Sequence, residues 1–170
     1  MVKFTRALLC AITLFIGFSA EAQQAPSVLL ANVYQAEKVN VSDYLVSEKY
    51  DGIRAIWTGS QLVTRNGNPI YAPKWFTAPL PDVWLDGELW TKRQDFANVS
   101  GIVRKVTPVE SEWQTVNYMI FDMPDATTPF SQRYENYTRL VNQLQTEHIK
   151  AVEQMHFNDN KQLSLFMDEL

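Results

Sequence analysis

Apolar and polar residues alternate along several short segments in the N-terminal and central parts of the chain, as they do in half-buried β-strands. Turn-forming residues separate these segments, above all at Gly59-Ser60 and at Asn66-Gly67-Asn68-Pro69. Turns at this close spacing favour an antiparallel sheet. The pattern predicts strands at residues 45–49, 53–58, 61–65, 83–90 and 116–121.

The apolar spacing becomes helical towards the C-terminal end of the sequence. Residues 131–145 predict a helix with Ser131 as its N-cap, because apolar residues recur there at the spacing of one helix face. A short strand is predicted at 151–156 and a second helix at 158–170, whereas the apolar segment 28–34 fits a strand or a helix. Strands followed by helices agree with an α+β fold.

Residues 1–22 have the features of a secretory signal peptide. Two basic residues precede an apolar run at 7–18, and Ala20 and Ala22 form an Ala-x-Ala cleavage site. The run is shorter than the roughly 20 residues that a bilayer-spanning helix needs, so we expect export rather than a membrane anchor. The mature chain would begin at Gln23, lie in the periplasm and have no stable membrane association.

The charge of the chain is unusual for a nucleic-acid-binding protein, which normally has a basic balance. The whole chain carries a net charge of −4, and without the basic leader the remainder is more negative still. If a basic face exists, it must therefore be local, and its candidates are Lys92, Arg93, Arg104 and Lys105, each of which also fits a solvated loop charge. Cys10 is the only cysteine and lies in the leader, so stability must come from a hydrophobic core rather than from disulfides.

Residues 47–54 read Ser-Glu-Lys-Tyr-Asp-Gly-Ile-Arg. On a strand, Lys49 and Asp51 would point the same way. Gly52 permits a tight turn, which would bring Arg54 back towards the lysine. An amine that attacks phosphorus must first lose its proton, and a neighbouring cation lowers its pKa. The segment therefore favours a nucleophilic lysine, with an ordinary surface lysine as the alternative.

This segment resembles Lys-x-Asp-Gly-x-Arg, the first motif of the covalent nucleotidyltransferases, which comprise ATP-dependent DNA ligases, RNA ligases and mRNA capping enzymes. Three further segments resemble later motifs of the family in the same order, namely Arg65-Asn66-Gly67, Asp86-Gly87-Glu88-Leu89 and Tyr118-Met119-Ile120-Phe121-Asp122. Four motifs in order are far more specific than one. Together with the leader, they make the chain most similar to the minimal, exported ATP-dependent DNA ligases of bacteria.

The resemblance implies an α+β adenylation domain of the nucleotidyltransferase (ATP-grasp-like) type, with the nucleotide bound between antiparallel sheets. It also implies that Lys49 is the catalytic nucleophile and forms a phosphoramidate with AMP, releasing pyrophosphate from ATP. AMP would then pass to a DNA 5′-phosphate, and a 3′-hydroxyl would displace it. The implied substrate is nicked double-stranded DNA, in DNA repair, replication or recombination.

The resemblance further implies a nucleotide-binding role for each matched side chain. Arg54 and Arg65 would contact phosphate groups, since a guanidinium can bind phosphate oxygens with two parallel hydrogen bonds. Glu88 would accept a hydrogen bond from the ribose hydroxyl and, with Asp51, support the metal ion. Phe121 would stack on adenine.

Ordinary structural roles remain open at these positions. Arg54, Arg65 and Phe121 also fit a strand-surface charge, a hairpin charge and a core aromatic. Asp86 fits a plain turn equally well, and Asp122 is predicted as a turn or cap residue.

Transfer from ATP requires that charge on the leaving oxygens be neutralised, so the expected metal is Mg²⁺. The sequence contains no His/Cys zinc pattern. Residues 100–105 resemble a family segment that follows the third motif, and Arg104 and Lys105 would meet the DNA backbone in salt-sensitive contacts. A monomer is expected.

The resemblance covers residues 28–170 and stops before the fifth and sixth motifs, Glu-Gly and Lys-x-Lys. Residues 23–170 are therefore interpreted as the N-terminal portion of the adenylation domain. A fragment of a longer protein and a truncated gene fit this pattern equally. The alternatives to a DNA ligase are an RNA ligase, a capping-type nucleotidyltransferase and a non-catalytic module that binds nucleotide or nucleic acid.

Overall fold

The computed structural model of the chain describes residues 28–29, 34–125 and 127–169. The predicted leader and most of the apolar segment 28–34 lie outside these residues. Within the described ranges, no helix combines the length and the hydropathy that a membrane span requires.

Short strands alternate with helices along the described part of the chain. The strands are β1 (Leu45–Val46), β2 (Ile53–Thr58), β3 (Leu62–Thr64), β4 (Trp84–Trp90), β5 (Asn117–Asp122), β6 (Ile149–Ala151) and β7 (Met155–His156). The helices are α1 (Lys74–Thr77), α2 (Phe96–Val103), α3 (Glu110–Trp113), α4 (Phe130–Leu144) and α5 (Asn160–Asp168).

A five-stranded sheet in the order β3-β2-β4-β5-β6 forms the centre of the fold. Its neighbouring strands are antiparallel, except that β5 and β6 are parallel. Helix α4 connects these two strands, because parallel neighbours need a long crossover connection. Strands β1 and β7 form a second, two-stranded antiparallel sheet.

One face of the central sheet carries the hydrophobic core. Alternation along the strands places Ala55 and Trp57 of β2 and Leu85 and Leu89 of β4 on this face, and all four are buried. Helices α2 and α4 pack against it and exclude water from the apolar side chains. The opposite face of β2 and β4 carries charged residues, with Arg54 directly across from Glu88.

The predicted strands agree with the structure at the centre of the sheet and differ at its margins. Residues 53–58 form β2, while the strands predicted at 83–90 and 116–121 begin one residue later. The strand predicted at 45–49 ends at Val46, since residues 47–50 have no regular secondary structure. The segment predicted as one strand at 151–156 contributes to β6 and β7 separately.

The predicted helix at 131–145 is α4, but its predicted N-cap is wrong. The helix begins at Phe130, after Pro129, so Ser131 lies inside the first turn. The sequence pattern does not predict α1, α2 or α3. Two of these are four residues long, which is too short for a helical period to be visible.

Asp122 is a buried ion-pair partner, and its prediction as a turn or cap residue is wrong. The Nε and Nη2 atoms of Arg133 donate to its two carboxylate oxygens at 2.7 and 3.2 Å. The Nη1 atom of Arg133 donates to the Thr128 carbonyl oxygen at 2.7 Å. Asp122 and Arg133 are 7% and 8% exposed, so this ion pair fixes α4 to the end of β5 with little competition from water.

We expect Arg133→Met to lower the free energy of unfolding by about 3–5 kcal/mol, because it leaves the carboxylate of Asp122 buried without its partner. Urea-induced unfolding followed by circular dichroism at pH 7 measures this loss. The control is Arg139→Met on the exposed face of the same helix, which should change stability by less than about 0.5 kcal/mol. Equal losses in the two variants would contradict the assigned role of Arg133.

Candidate active site

Lys49 lies in the irregular segment that joins β1 to β2, and its side chain is exposed. The prediction that Lys49 and Asp51 lie on a strand is wrong, because residues 47–51 have no regular secondary structure. Lys49 is nevertheless close to the charged face of the sheet, since its charge lowers the pKa of Glu88. The lysine is therefore presented by a loop rather than by a strand.

Gly52 brings this loop into direct contact with β4. Its backbone N–H donates to the Glu88 Oε1 atom at 3.1 Å. A Cβ atom at this position would overlap the Leu89 carbonyl oxygen, so the close approach requires glycine. Gly52 does not have a positive φ angle, so this position requires glycine because of its packing against β4 and not because of unusual backbone angles.

Glu88 is a partly buried carboxylate that faces the lysine loop. Burial raises its pKa to about 7, and this effect outweighs the hydrogen bond from Gly52 and the charges of Lys49 and Arg54, which lower it. The nearby Asp86 charge raises the pKa further. Glu88 therefore changes charge near neutral pH, and a bound cation or hydrogen-bond donor would favour its ionised form.

Arg54 and Asp86 form an ion pair on the same face of the sheet. The Nε and Nη2 atoms of Arg54 donate to the two oxygens of Asp86 at 3.0 and 2.6 Å, and Nη2 also donates to the Leu29 carbonyl oxygen at 2.9 Å. Asp86 is 1% exposed and lies within β4, so the alternative reading of Asp86 as a turn residue is wrong. Burial raises the pKa of Asp86, and the Arg54 guanidinium opposes that rise.

Phe121 is placed by an irregularity between β4 and β5. Asp86 pairs with Asp122, but the next residue, Gly87, pairs with Ile120, which leaves Phe121 as an extra residue in β5. Such a bulge bends a strand and redirects a side chain. The ring centroid of Phe121 lies 5.4 Å from the Arg54 Cζ atom, within the range of a cation–π contact.

The structure thus gathers Arg54, Glu88 and Phe121, together with the backbone of the Lys49 loop, around one polar face of the sheet. Asp51 belongs to the same loop and is exposed. Arg65 is also exposed, in the turn that follows β3. The contacts described above involve neither of these two residues.

The residues predicted to contact nucleic acid follow α2. Arg104 and Lys105 are exposed, and the Lys105 Nζ atom donates to the carboxylate of Glu112 at 2.6 Å. Lys105 is therefore held in an ion pair on the surface. In the described part of the chain, no group of three or more His, Cys, Asp or Glu side chains is arranged to hold a metal ion.

Sequence reasoning missed the role of Asp86 in fixing Arg54. The signal was available, because Asp86 lies two residues before Glu88 on a predicted strand, and side chains at this spacing share a face. It also missed the ion pair between Glu48, which precedes the lysine, and Arg93, which follows β4. No local pattern connects residues so far apart in the chain.

Gly52→Ala should lower the free energy of unfolding by about 1–3 kcal/mol, because the added methyl group forces the loop away from β4. Chemical denaturation of the two proteins measures the difference. Gly101→Ala is the matched control: it lies in a helix where an added Cβ meets no atom within 4 Å, so up to about 1 kcal/mol of stabilisation is expected. A stable Gly52→Ala variant would contradict the proposed packing.

Glu88→Gln should change how stability depends on pH. The raised pKa means that the folded state binds the proton of Glu88 more tightly, so this contribution to stability is complete below the unfolded value of 4.5 and is lost as pH rises through about 7. The wild-type chain should therefore lose about 1–3 kcal/mol, relative to Glu88→Gln, between pH 4.5 and 8. Urea-induced unfolding at a series of pH values, in EDTA, measures the stability of the two proteins. Parallel profiles of stability against pH would contradict the raised pKa of Glu88.

The chain is similar to known DNA ligases over most of its length. No known protein-family profile matches the chain. The chain is 28% identical over 159 residues to a DNA ligase of Haemophilus influenzae, in a match that covers 93% of this chain and 58% of that ligase.

The fold of the chain is also similar to that of solved DNA ligases. A Lig E DNA ligase structure superimposes with a TM-score of 0.79 at 37% identity, covering 85% of this chain and 57% of that one. The Chlorella virus DNA ligase–adenylate superimposes with a TM-score of 0.65 over 87% of this chain and 55% of that one. The two sequences are 22% identical, so this match establishes only that the folds are similar. This chain spans less than two thirds of each of these proteins. In sequence and in fold, the chain is therefore similar to part of a DNA ligase.

Proposed function

We propose that this chain carries the self-adenylation centre of an ATP-dependent DNA ligase. The observation that carries the proposal is that the Lys49 loop is fastened through Gly52 to Glu88, beside the Arg54–Asp86 ion pair and the Phe121 ring. Similarity to a Lig E ligase supports the same reading, because the two chains share 37% identity and the fold.

In the proposed reaction, Lys49 first loses a proton to water, and its Nζ atom attacks the α-phosphorus of ATP. A nitrogen–phosphorus bond forms, the bond from that phosphorus to the bridging oxygen breaks, and pyrophosphate leaves with the electron pair. The AMP group then passes to a DNA 5′-phosphate. Attack of a 3′-hydroxyl joins the strands and releases AMP. The lysine thereby divides one difficult joining reaction into easier steps.

The side chains around Lys49 suit the parts of a nucleotide. Arg54 is held rigidly by Asp86, so its remaining surface is a fixed positive charge for phosphate. Phe121 offers a partly exposed ring for stacking on the base, with Arg54 against the ring. Glu88 is a hydrogen-bond acceptor for the ribose in its ionised form. Arg65, exposed in the turn that follows β3, is proposed as a second phosphate-contacting arginine.

Mg²⁺ is proposed as the metal of this reaction. Mg²⁺ prefers oxygen ligands and keeps several waters, so it needs only one or two carboxylates and the phosphates of ATP. Asp51 and Glu88 provide such oxygens from the lysine loop and from β4, and the chemistry of this donor set fits. When bound, the ion neutralises charge on the leaving pyrophosphate.

The proposed substrate is nicked double-stranded DNA, and the proposed context is DNA repair, replication or recombination. Arg104 and exposed neighbours of α2 supply local positive charge for the phosphate backbone in a chain that is acidic overall. Residues 1–22 are proposed as a signal peptide that directs the protein to the periplasm, where it works as a monomer. The match to DNA ligases favours this function over RNA ligation or mRNA capping.

Incubation with Mg²⁺ and ATP labelled at the α-phosphate should transfer label to the protein. Lys49→Ala should reduce the covalent label below detection, because the nucleophile is removed. Lys161→Ala changes an exposed lysine of α5 and should keep the label. Denaturing gel electrophoresis measures the label bound to the protein. Either an unlabelled wild-type protein or a labelled Lys49→Ala variant would contradict the proposal.

A further inference from the structure

The two residues that flank Lys49 contact the last residue of β4 and the turn that follows it. On one side, Glu48 forms a two-pronged ion pair with Arg93, in which the Nε and Nη2 atoms donate to Oε1 and Oε2 at 2.8 and 3.0 Å. Hydrogen bonding from Arg93 holds the pKa of Glu48 below its usual value, so the pair is ionised at neutral pH. On the other side, the ring of Tyr50 packs edge-on against Trp90, with centroids 5.0 Å apart.

These two attachments enclose a lysine that has no strand or helix to hold its backbone. Residues 47–51 have no regular secondary structure, and such loop segments are normally the more mobile parts of a fold. With the Gly52 N–H bound to Glu88, the loop gains a third attachment to the same strand. All three attachments involve β4 or the residues directly after it, so β4 sets the position of the lysine backbone.

The ion pair between Glu48 and Arg93 does not act mainly on the stability of the whole fold. The side chains of Glu48 and Arg93 are 30% and 53% exposed, and ion pairs with this much solvent contact contribute little to the free energy of folding. The bidentate geometry does fix the relative orientation of the carboxylate and the guanidinium, because two parallel hydrogen bonds restrict the rotation of both groups. Its effect is therefore local, on the loop between Glu48 and Gly52.

We propose that Glu48, Tyr50, Trp90 and Arg93 are positioning residues that hold Lys49 at its reactive distance from the α-phosphorus of ATP. This inference rests on the proposed self-adenylation. It differs from the motif reading, since neither Trp90 nor Arg93 belongs to a motif and none of the four is assigned a contact with the nucleotide. A nucleophile that drifts by about 1 Å can lose up to about 100-fold in rate, whereas substrate binding elsewhere in the site is kept.

The test separates the rate of adenylation from the binding of ATP. Single-turnover labelling with α-labelled ATP should show that Arg93→Ala lowers the rate at saturating ATP about 10-fold, with less than about a 2-fold change in the ATP concentration that gives half the maximal rate. The charge-reversed pair Glu48→Arg/Arg93→Glu should restore the rate to within about 3-fold of the wild type, because it rebuilds the ion pair.

Glu112→Gln is the matched control, because it breaks the Lys105–Glu112 ion pair, which is similarly exposed and remote from the lysine loop in sequence. It should leave the adenylation rate unchanged. An Arg93→Ala rate equal to that of the wild type, an equal loss in Glu112→Gln, or a loss confined to ATP binding would overturn the inference.

Amide hydrogen exchange gives a readout that does not depend on activity. The N–H of Gly52 should exchange at least about 10-fold faster in Arg93→Ala than in the wild type, because the loop opens more often without the ion pair. Its exchange rate should be unchanged in Glu112→Gln. Unchanged exchange at Gly52 would overturn the inference while leaving the proposed function intact. A wild-type protein that takes no label would overturn the proposed function, and the positioning role with it.

Discussion

The two faces of the central strand β4 lie in different environments, one in the apolar core and the other at the polar site. The site depends on how the carboxylates of the polar face are compensated. Leu85 and Leu89 point into the core and are fully buried, whereas Asp86 and Glu88 point to the other face. A buried carboxylate is costly unless a partner compensates its charge. Asp86 finds that partner in Arg54 of the adjacent strand, which fixes the guanidinium as well.

The same strand also governs the residues that are not on strands. The loop that carries Lys49 approaches β4 so closely at Gly52 that a side chain there would overlap a carbonyl oxygen. Its flanking residues reach the end of β4 and the turn beyond it through one ion pair and one ring contact. Strand β4 and the turn that follows it thus contact the loop on both sides of Lys49, whose own side chain is exposed.

Local pattern predicted the central strands and the principal helix well, because the alternating and helical periods are strong there. It failed where residues were too few to show a period, as in α1 and α3, and where tertiary contacts replaced regular structure, as around Lys49. Among the site residues, Arg54, Glu88 and Phe121 share one face as expected. Asp122 instead turned out to be half of a buried ion pair with Arg133, eleven residues away.

The sequence by itself determined the order of the chemical groups. Four short segments occur in the order of a known family, and they carry Lys49 with Arg54, then Arg65, then Glu88, and last Phe121. The two-residue period of a strand also assigns Asp86 and Glu88 to one face of β4. It does not place Lys49, which lies in a loop. Only the tertiary structure decided which carboxylate pairs with Arg54, how far burial raises the pKa of Glu88, and that the ring of Phe121 lies against the guanidinium of Arg54. These outcomes depend on the distances between strands and on the exclusion of water, which no stretch of neighbouring residues encodes.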